Sequence, residues 1–236
     1  MAWAKLLTDG ESQHDARSGE RAVSINEEVY KRLRKAIIGG ELAPGRALSV
    51  RGLAAEFGVS TMPAREAIRR LIALGALEFT ASRRVAVATM TKEKLLEIGE
   101  ARLALEPHLG IRVLRTTLDD EDAREDLALR LTEIADSLEE AIARGDSAAY
   151  ASLNSDFFYT FYEAANAPVI LALVESLWLQ AGPIMRIVIG RLGTSSLSGC
   201  HQPMIAAIRV IDGEKLDAAI RDNIKVSMSG IAQVDF

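Results

Sequence analysis

Thr61, Arg65 and Arg69 recur every four residues just after a glycine turn, with Ser60 at their head. On a helix that spacing turns all three outward, while Ala64, Ala67, Ile68 and Leu71 take the opposite side. The chemistry open to such a face is the reading of DNA. An arginine early in a helix can fork onto guanine O6 and N7 in the major groove, which makes Arg65 the leading base contact. Ser60 can bond a phosphate as well as cap the helix, and Arg69, one turn further on, can reach the sugar-phosphate backbone. A second basic pair sits in the turn Ala81-Ser82-Arg83-Arg84, between Glu78-Phe79-Thr80 and Val85-Ala86-Val87-Ala88. A hairpin with a cationic tip lies alongside the helix in such readers.

The elements that must position these groups are marked by their own residues. Ser49 is an N-cap, and Val50, Leu53, Ala54 and Phe57 recur behind it at helical spacing. Gly58 supplies a left-handed stop, Val59 plugs the corner, and Pro63 falls in the first turn of the next helix, where a missing N–H is harmless. Gly75 ends that helix. The pattern predicts a helix-turn-helix over about 49–74, followed by a wing. Upstream, Ser24 with Glu27 makes a capping box for a first helix striped by Val29, Tyr30, Leu33, Ala36 and Ile37, which stops at Gly39-Gly40. Residues 1–21 are polar and aperiodic and read as a flexible tail, so the first domain spans 22–91.

This stretch resembles the DNA-binding domain of GntR-type bacterial transcription regulators. The shared pieces are Ile37-Ile38-Gly39-Gly40-Glu41-Leu42-Ala43-Pro44-Gly45, the turn Leu53-Ala54 to Gly58-Val59-Ser60, and the helix Pro63-Ala64-Arg65-Glu66-Ala67 through Arg69 and Leu71 to Gly75. The resemblance implies that Arg65 reads DNA and that Arg51, at the start of the preceding helix, touches it. Thr61 stands where several relatives carry arginine. A short hydroxyl and methyl there imply a different base preference. Val85 stands where relatives have glycine after the basic pair, which makes the wing turn less permissive.

The chain of 236 residues has room for two domains, and 49% hydrophobic content is ample for buried cores. Its net charge of −5 is divided: residues 21–94 carry +7 and residues 95–236 carry −10. A basic module joined to an acidic one is the footprint of a DNA reader coupled to a body that avoids DNA. The single cysteine, Cys200, excludes a disulfide framework. No run reaches the ~18 apolar residues of a membrane span. Asp9, Glu11 and Asp15 occupy the place of a basic signal-peptide start. A cytoplasmic location is expected, with no membrane partner.

From Lys92 onward there is no strand-like alternation. Helices are predicted over about 92–115, 120–144, 147–165, from Pro168 with a bend or split at Gly182-Pro183, and over 197–211 and 214–232. Pro107 should kink the first of these. The fold class is therefore mostly α: a winged helix-turn-helix, then an all-α antiparallel bundle over 92–236. Bundles of this kind hold ligands between facing helices.

The second half resembles, more loosely, the FCD effector-binding domain of the FadR-like branch of GntR regulators. The resemblance rests on Glu100-Ala101-Arg102 with Glu106, on residues 157–168, and on residues 200–224. It implies a divalent metal on one Asp and three His. Those positions hold Asn154, Phe158, His201 and Asn223 here, and a slip in register would instead bring Asp156 into play. A phenylalanine donates nothing, an amide is a poor ligand, and the chain has only His14, His108 and His201. No metal and no cofactor is expected. What remains is a metal-free pocket. Arg102 matches an arginine that in relatives grips an effector carboxylate, although an i,i+4 pair with Glu106 is its bland alternative. Asn154, His201 and Asn223 would add hydrogen bonds, Arg186 a second charge, and Phe158 a wall.

The function these features predict is a homodimeric DNA-binding transcription regulator, a repressor released by a small organic acid, bound to an inverted-repeat operator. Trp178 or a leucine stripe would anchor the two copies. The alternative is a regulator whose bundle only dimerises and senses nothing. An enzyme is not expected: no nucleophile elbow occurs, and Cys200 and His201 are neighbours pointing apart on a helix.

Overall fold

The computed structural model describes residues 18–193 and 198–231. The first helix, α1 (Ser18–Ile38), begins six residues ahead of Ser24, so the Ser24–Glu27 box lies inside it and the expected tail overlaps helix at residues 18–21. Glu20, Arg21 and Ala22 are good helix formers and let the turn before Ser24 wind on. Gly40, at φ +66, then releases the chain from α1.

The helix-turn-helix is built as its caps dictate. Ser49 Oγ accepts from Gly52 N at the head of α2 (Val50–Phe57), and Gly58 at φ +65 closes it. The second helix, α3 (Thr61–Ala73), buries Pro63, Ala64, Ala67, Ile68 and Leu71. The wing strands β2 (Leu77–Phe79) and β3 (Val85–Val87) pair antiparallel, and a short β1 (Ala47–Leu48), unforeseen in the sequence, adds to the far side of β3 for the order β1-β3-β2.

The bundle comprises α4 (Lys92–Thr116), α5 (Glu121–Ala143), α6 (Ser147–Glu163), α7 (Pro168–Leu192), α8 (Gln202–Arg209) and α9 (Gly213–Ile231). Thr91, Asp120 and Asp146 cap α4, α5 and α6 by accepting backbone N–H bonds. Of the bend or split expected at Gly182-Pro183, the split does not occur: α7 continues through it. One expectation fails outright, since α8 starts at Gln202, so Cys200 and His201 precede that helix instead of riding on it. Pro203 explains the later start, because it suits the first turn of a helix and not its interior. No helix among the described residues is long and apolar enough to cross a membrane.

Two cores meet along α7. One, under the winged helix, gathers Leu33, Ile37, Ala67, Leu71 and Leu77, and it includes Leu179 of α7, which is fully buried there. Burying one leucine is worth about 1.5–3 kcal/mol. The other packs Leu131, Leu138, Phe157, Phe161, Ile208 and Ile220 inside the bundle. A small third cluster joins Met90 of the linker to Leu95, Ile98, Ala181 and Ile184. Trp178 is 8% exposed and turned into the bundle, so it is not available to anchor a second copy.

Candidate nucleic-acid interface and ligand cavity

Arg51, Ser60, Thr61, Arg65 and Arg69 are all exposed on the outer side of α2 and α3. Ser60 occupies the N-cap of α3, yet its hydroxyl makes no capping bond, which leaves it available to a phosphate. Arg69 is held by Glu66, with Nε donating at 3.1 Å and a terminal nitrogen at 2.8 Å. An exposed pair of this kind is weak and separates readily for another anion. Arg70 turns the other way: it donates to Glu27 at 2.7 Å and lies 3.6 Å over the Tyr30 ring, fastening α3 to α1.

In the wing the left-handed residue is Arg83, at φ +59, and Val85 is ordinary strand. The strain expected at Val85 thus falls two residues earlier. Thr80 fixes the turn, its N–H donating to the Arg84 carbonyl and its hydroxyl accepting from Arg84 N. Arg83 and Arg84 are exposed at the tip.

The bundle holds a cavity of about 90 Å³ that brings Arg102, Asn154, Phe158 and Asn223 together. By a measure in which one water needs ~10–15 Å³, this is room for several waters or a small organic molecule. Residues that sequence reasoning did not assign complete it, among them Ile38, Tyr150, Trp178, Gly182 and Val226. Their contribution depends on contacts between elements far apart in the chain, which no local pattern encodes. The side chain of Arg186 lies outside the described residues.

Arg102 is not free to grip an incoming carboxylate with its whole fork. Its Nε donates to Glu106 Oε1 at 2.6 Å and a terminal nitrogen to Oε2 at 3.4 Å. Glu106 is wholly buried and also accepts from Tyr162 Oη at 3.2 Å and Trp178 Nε1 at 2.9 Å. The i,i+4 alternative is therefore realised, and one carboxylate ties together α4, α6 and α7. Burial works against the charge on Arg102, and Glu106 more than restores it; burial followed by the Glu106 charge pushes the Tyr162 hydroxyl far above its usual range.

His201 sits behind Asn154, 2% exposed, with Nε2 and Asn154 Oδ1 at 2.9 Å. Because the amide oxygen can only accept, Nε2 carries the proton and Nδ1 is a bare acceptor without a partner among the described residues. Burial pulls the imidazole down to about 4, so it is neutral at pH 7. Asp156 faces out and pairs with Lys35 at 3.2 Å, away from the cavity. The metal implied by the FCD resemblance does not fit this donor set. The one imidazole points its protonated nitrogen at an amide, and an aromatic ring fills the next position. Among the described residues no group of three or more His, Cys, Asp or Glu is placed to hold an ion.

Three comparisons bear on this geometry. The chain matches "Bacterial regulatory proteins, gntR family" over residues 25–87 and "FCD domain" over residues 97–225. The HTH-type transcriptional regulator McbR of Escherichia coli K12 is 27% identical over 195 residues, covering 81% of this chain and 86% of that protein. A probable D-xylose utilization operon transcriptional repressor of Paenarthrobacter nicotinovorans is 23% identical, covering 83% and 84%. The solved structure of E. coli McbR/YncC shares the fold, with a TM-score of 0.79 at 23% identity over 89% of this chain and 97% of that one.

Proposed function

The chain belongs to the GntR family of bacterial regulatory proteins and to its FCD branch, and from that premise we propose a homodimeric repressor released from an inverted-repeat operator by a small molecule in the helical domain. That it is a DNA-binding transcription regulator follows from the family. The repressor role is supported by relatives whose names call them operon repressors, for D-xylose utilization and for gluconate. We assign residues 22–91 to DNA binding, through Arg51, Ser60, Thr61, Arg65, Arg69, Arg83 and Arg84, and residues 92–236 to sensing and dimerisation.

The observation that carries the sensing role is the double duty of α7. Trp178, Ala181 and Gly182 line the cavity. On the same helix Leu179 is buried in the core under the winged helix, and Ser176 Oγ donates at 3.0 Å to the carbonyl of Leu74, the C-cap of α3. Glu175 also holds Arg34 of α1 at 3.0 Å. A ligand that shifts α7 moves the base of the recognition helix with it. Such a ligand would favour a spacing of the two winged helices that fits two half-sites poorly.

The test is sedimentation of the full chain together with footprinting on DNA fragments that it selects. A dimer protecting two symmetric half-sites, about 34–36 Å apart or a multiple of that, is the expected result. A monomer that binds a single half-site tightly would sink the reading.

A further inference from the structure

We propose that the ligand of this cavity is a small uncharged molecule with an apolar body and a carbonyl-type acceptor, and not a carboxylate. The inference rests on the sensing role proposed above and names its chemistry.

Charge is the first ground. Arg102 is the only cation that lines the cavity among the described residues, and its charge is already matched by Glu106. Nε and one terminal nitrogen are spent on that carboxylate, which leaves the other terminal nitrogen for a ligand. A second carboxylate there would lie across a single guanidinium from Glu106. Two anions would share the one described cation in a largely apolar lining, and burying an unbalanced charge is far costlier than burying a hydrogen-bonded neutral group. Glu106 has no route to water, since it is fully buried under Tyr162 and Trp178. His201 adds no positive charge, being buried and bonded through Nε2 to Asn154.

The polar groups that remain are donors more than charges. Asn154 Oδ1 accepts from His201 Nε2 and, at 3.4 Å, from the Tyr150 hydroxyl, so its NH₂ is left for the cavity. The Asn223 side chain, also in the lining, brings a second amide. Two amide side chains and one guanidinium line the same cavity, and a carbonyl oxygen can accept from their N–H groups without adding charge. The rest of the lining is mostly apolar, with Ile38, Phe158, Ala181, Val226 and the ring of Trp178, whose N–H is already consumed by Glu106; its other polar groups, the Ser155 and Ser227 hydroxyls and the Cys200 thiol, bring no charge. A branched aliphatic body fits that wall.

Calorimetric titration of the full-length protein with charge-differing isosteres separates the cases: isobutyramide against isobutyrate, and isovaleramide against isovalerate, each read also by operator release. The amides should bind at least about tenfold tighter than their carboxylates, equivalent to ~1.4 kcal/mol. Their affinity should be flat between about pH 6 and pH 8, since the buried imidazole is already neutral throughout that range. Carboxylates that bind as tightly as the amides overturn the ligand class and leave the sensing role standing. No binding by any of the four, up to their solubility limits, fails the sensing role and the ligand class with it. Glu106→Gln, which uncovers the guanidinium charge, should reverse the preference toward carboxylates. If that variant does not fold, Asn223→Leu removes one amide donor from the lining and should weaken the amides roughly tenfold; unchanged amide binding there overturns the proposal.

Discussion

A Cβ built on Gly182 would lie 2.5 Å from the Ile38 carbonyl oxygen and 2.6 Å from the Ile38 Cα. The last turn of α1 and the middle of α7 thus touch backbone to backbone, and only glycine admits the contact. Both residues also line the cavity. Neither backbone can yield as a flexible side chain can, so Gly182→Ala must pry α1 from α7. We expect a loss of ~1–3 kcal/mol, the usual cost of overpacking, and roughly 2–4 °C of melting temperature per kcal/mol for a chain of this size. Operator affinity should change as well, because α1 carries the winged helix. A variant that melts and binds DNA like the parent would show that this contact does not couple the two cores.

The Glu106 cluster gives a second expectation. Removing either partner of a buried ion pair strands the other, so Arg102→Met or Glu106→Met alone should each cost about 3–5 kcal/mol. The double replacement should cost clearly less than the sum. Urea denaturation of the four proteins closes this cycle. Additive losses would mean that the two side chains are not coupled as their 2.6 Å separation implies.

What the sequence disclosed follows from how far each determinant reaches along the chain. The Ser49 cap and the left-handed Gly58 are each settled within a turn of helix, and both stand where the pattern puts them. Of the periodic stripe Leu127, Leu131, Ile134, Leu138 and Ile142 on α5, the three leucines are buried and the two isoleucines partly so. Strand β1 was not legible, because two residues carry no period and pair only with β3, distant in sequence. Gly182-Pro183 read as a bend or split because glycine and proline usually interrupt helices. Here the glycine answers to Ile38, far back in the chain, and the helix continues. Arg102, Asn154, Phe158 and Asn223 were recognised through a family resemblance and do converge on one cavity. That Glu106 would take the guanidinium was visible as i,i+4 spacing, but Tyr162 and Trp178 as its further donors were not.

His201 makes stability depend on pH. Its imidazole titrates near 6.5 when unfolded and is held down to about 4 in the fold, chiefly by burial. The neutral form is the one the fold accepts. The contribution is therefore complete above pH 6.5 and is lost as pH falls from there toward 4. A displacement of that size is worth roughly 3 kcal/mol. Melts of the parent and of His201→Gln between about pH 7.5 and pH 4.5 should show the gap between them narrowing as acid is added. Parallel profiles would mean that His201 is hydrated in solution.

The DNA-reading face is tested by two arginines that should fail differently. Arg65 stands exposed on α3, away from the buried side of that helix, so Arg65→Ala should leave melting unchanged while removing ~1–3 kcal/mol of specific binding. Arg84 is at the wing tip, beyond the proposed recognition helix α3, where a cation would meet phosphate or the minor groove. Arg84→Ala should weaken operator and random DNA alike and flatten the dependence on salt, the slope falling by about 0.9 for each phosphate that is no longer neutralised. Gel-shift titrations on operator and scrambled duplex over a salt series separate the two. If Arg65→Ala keeps its preference for the operator over scrambled DNA, α3 is not the recognition helix.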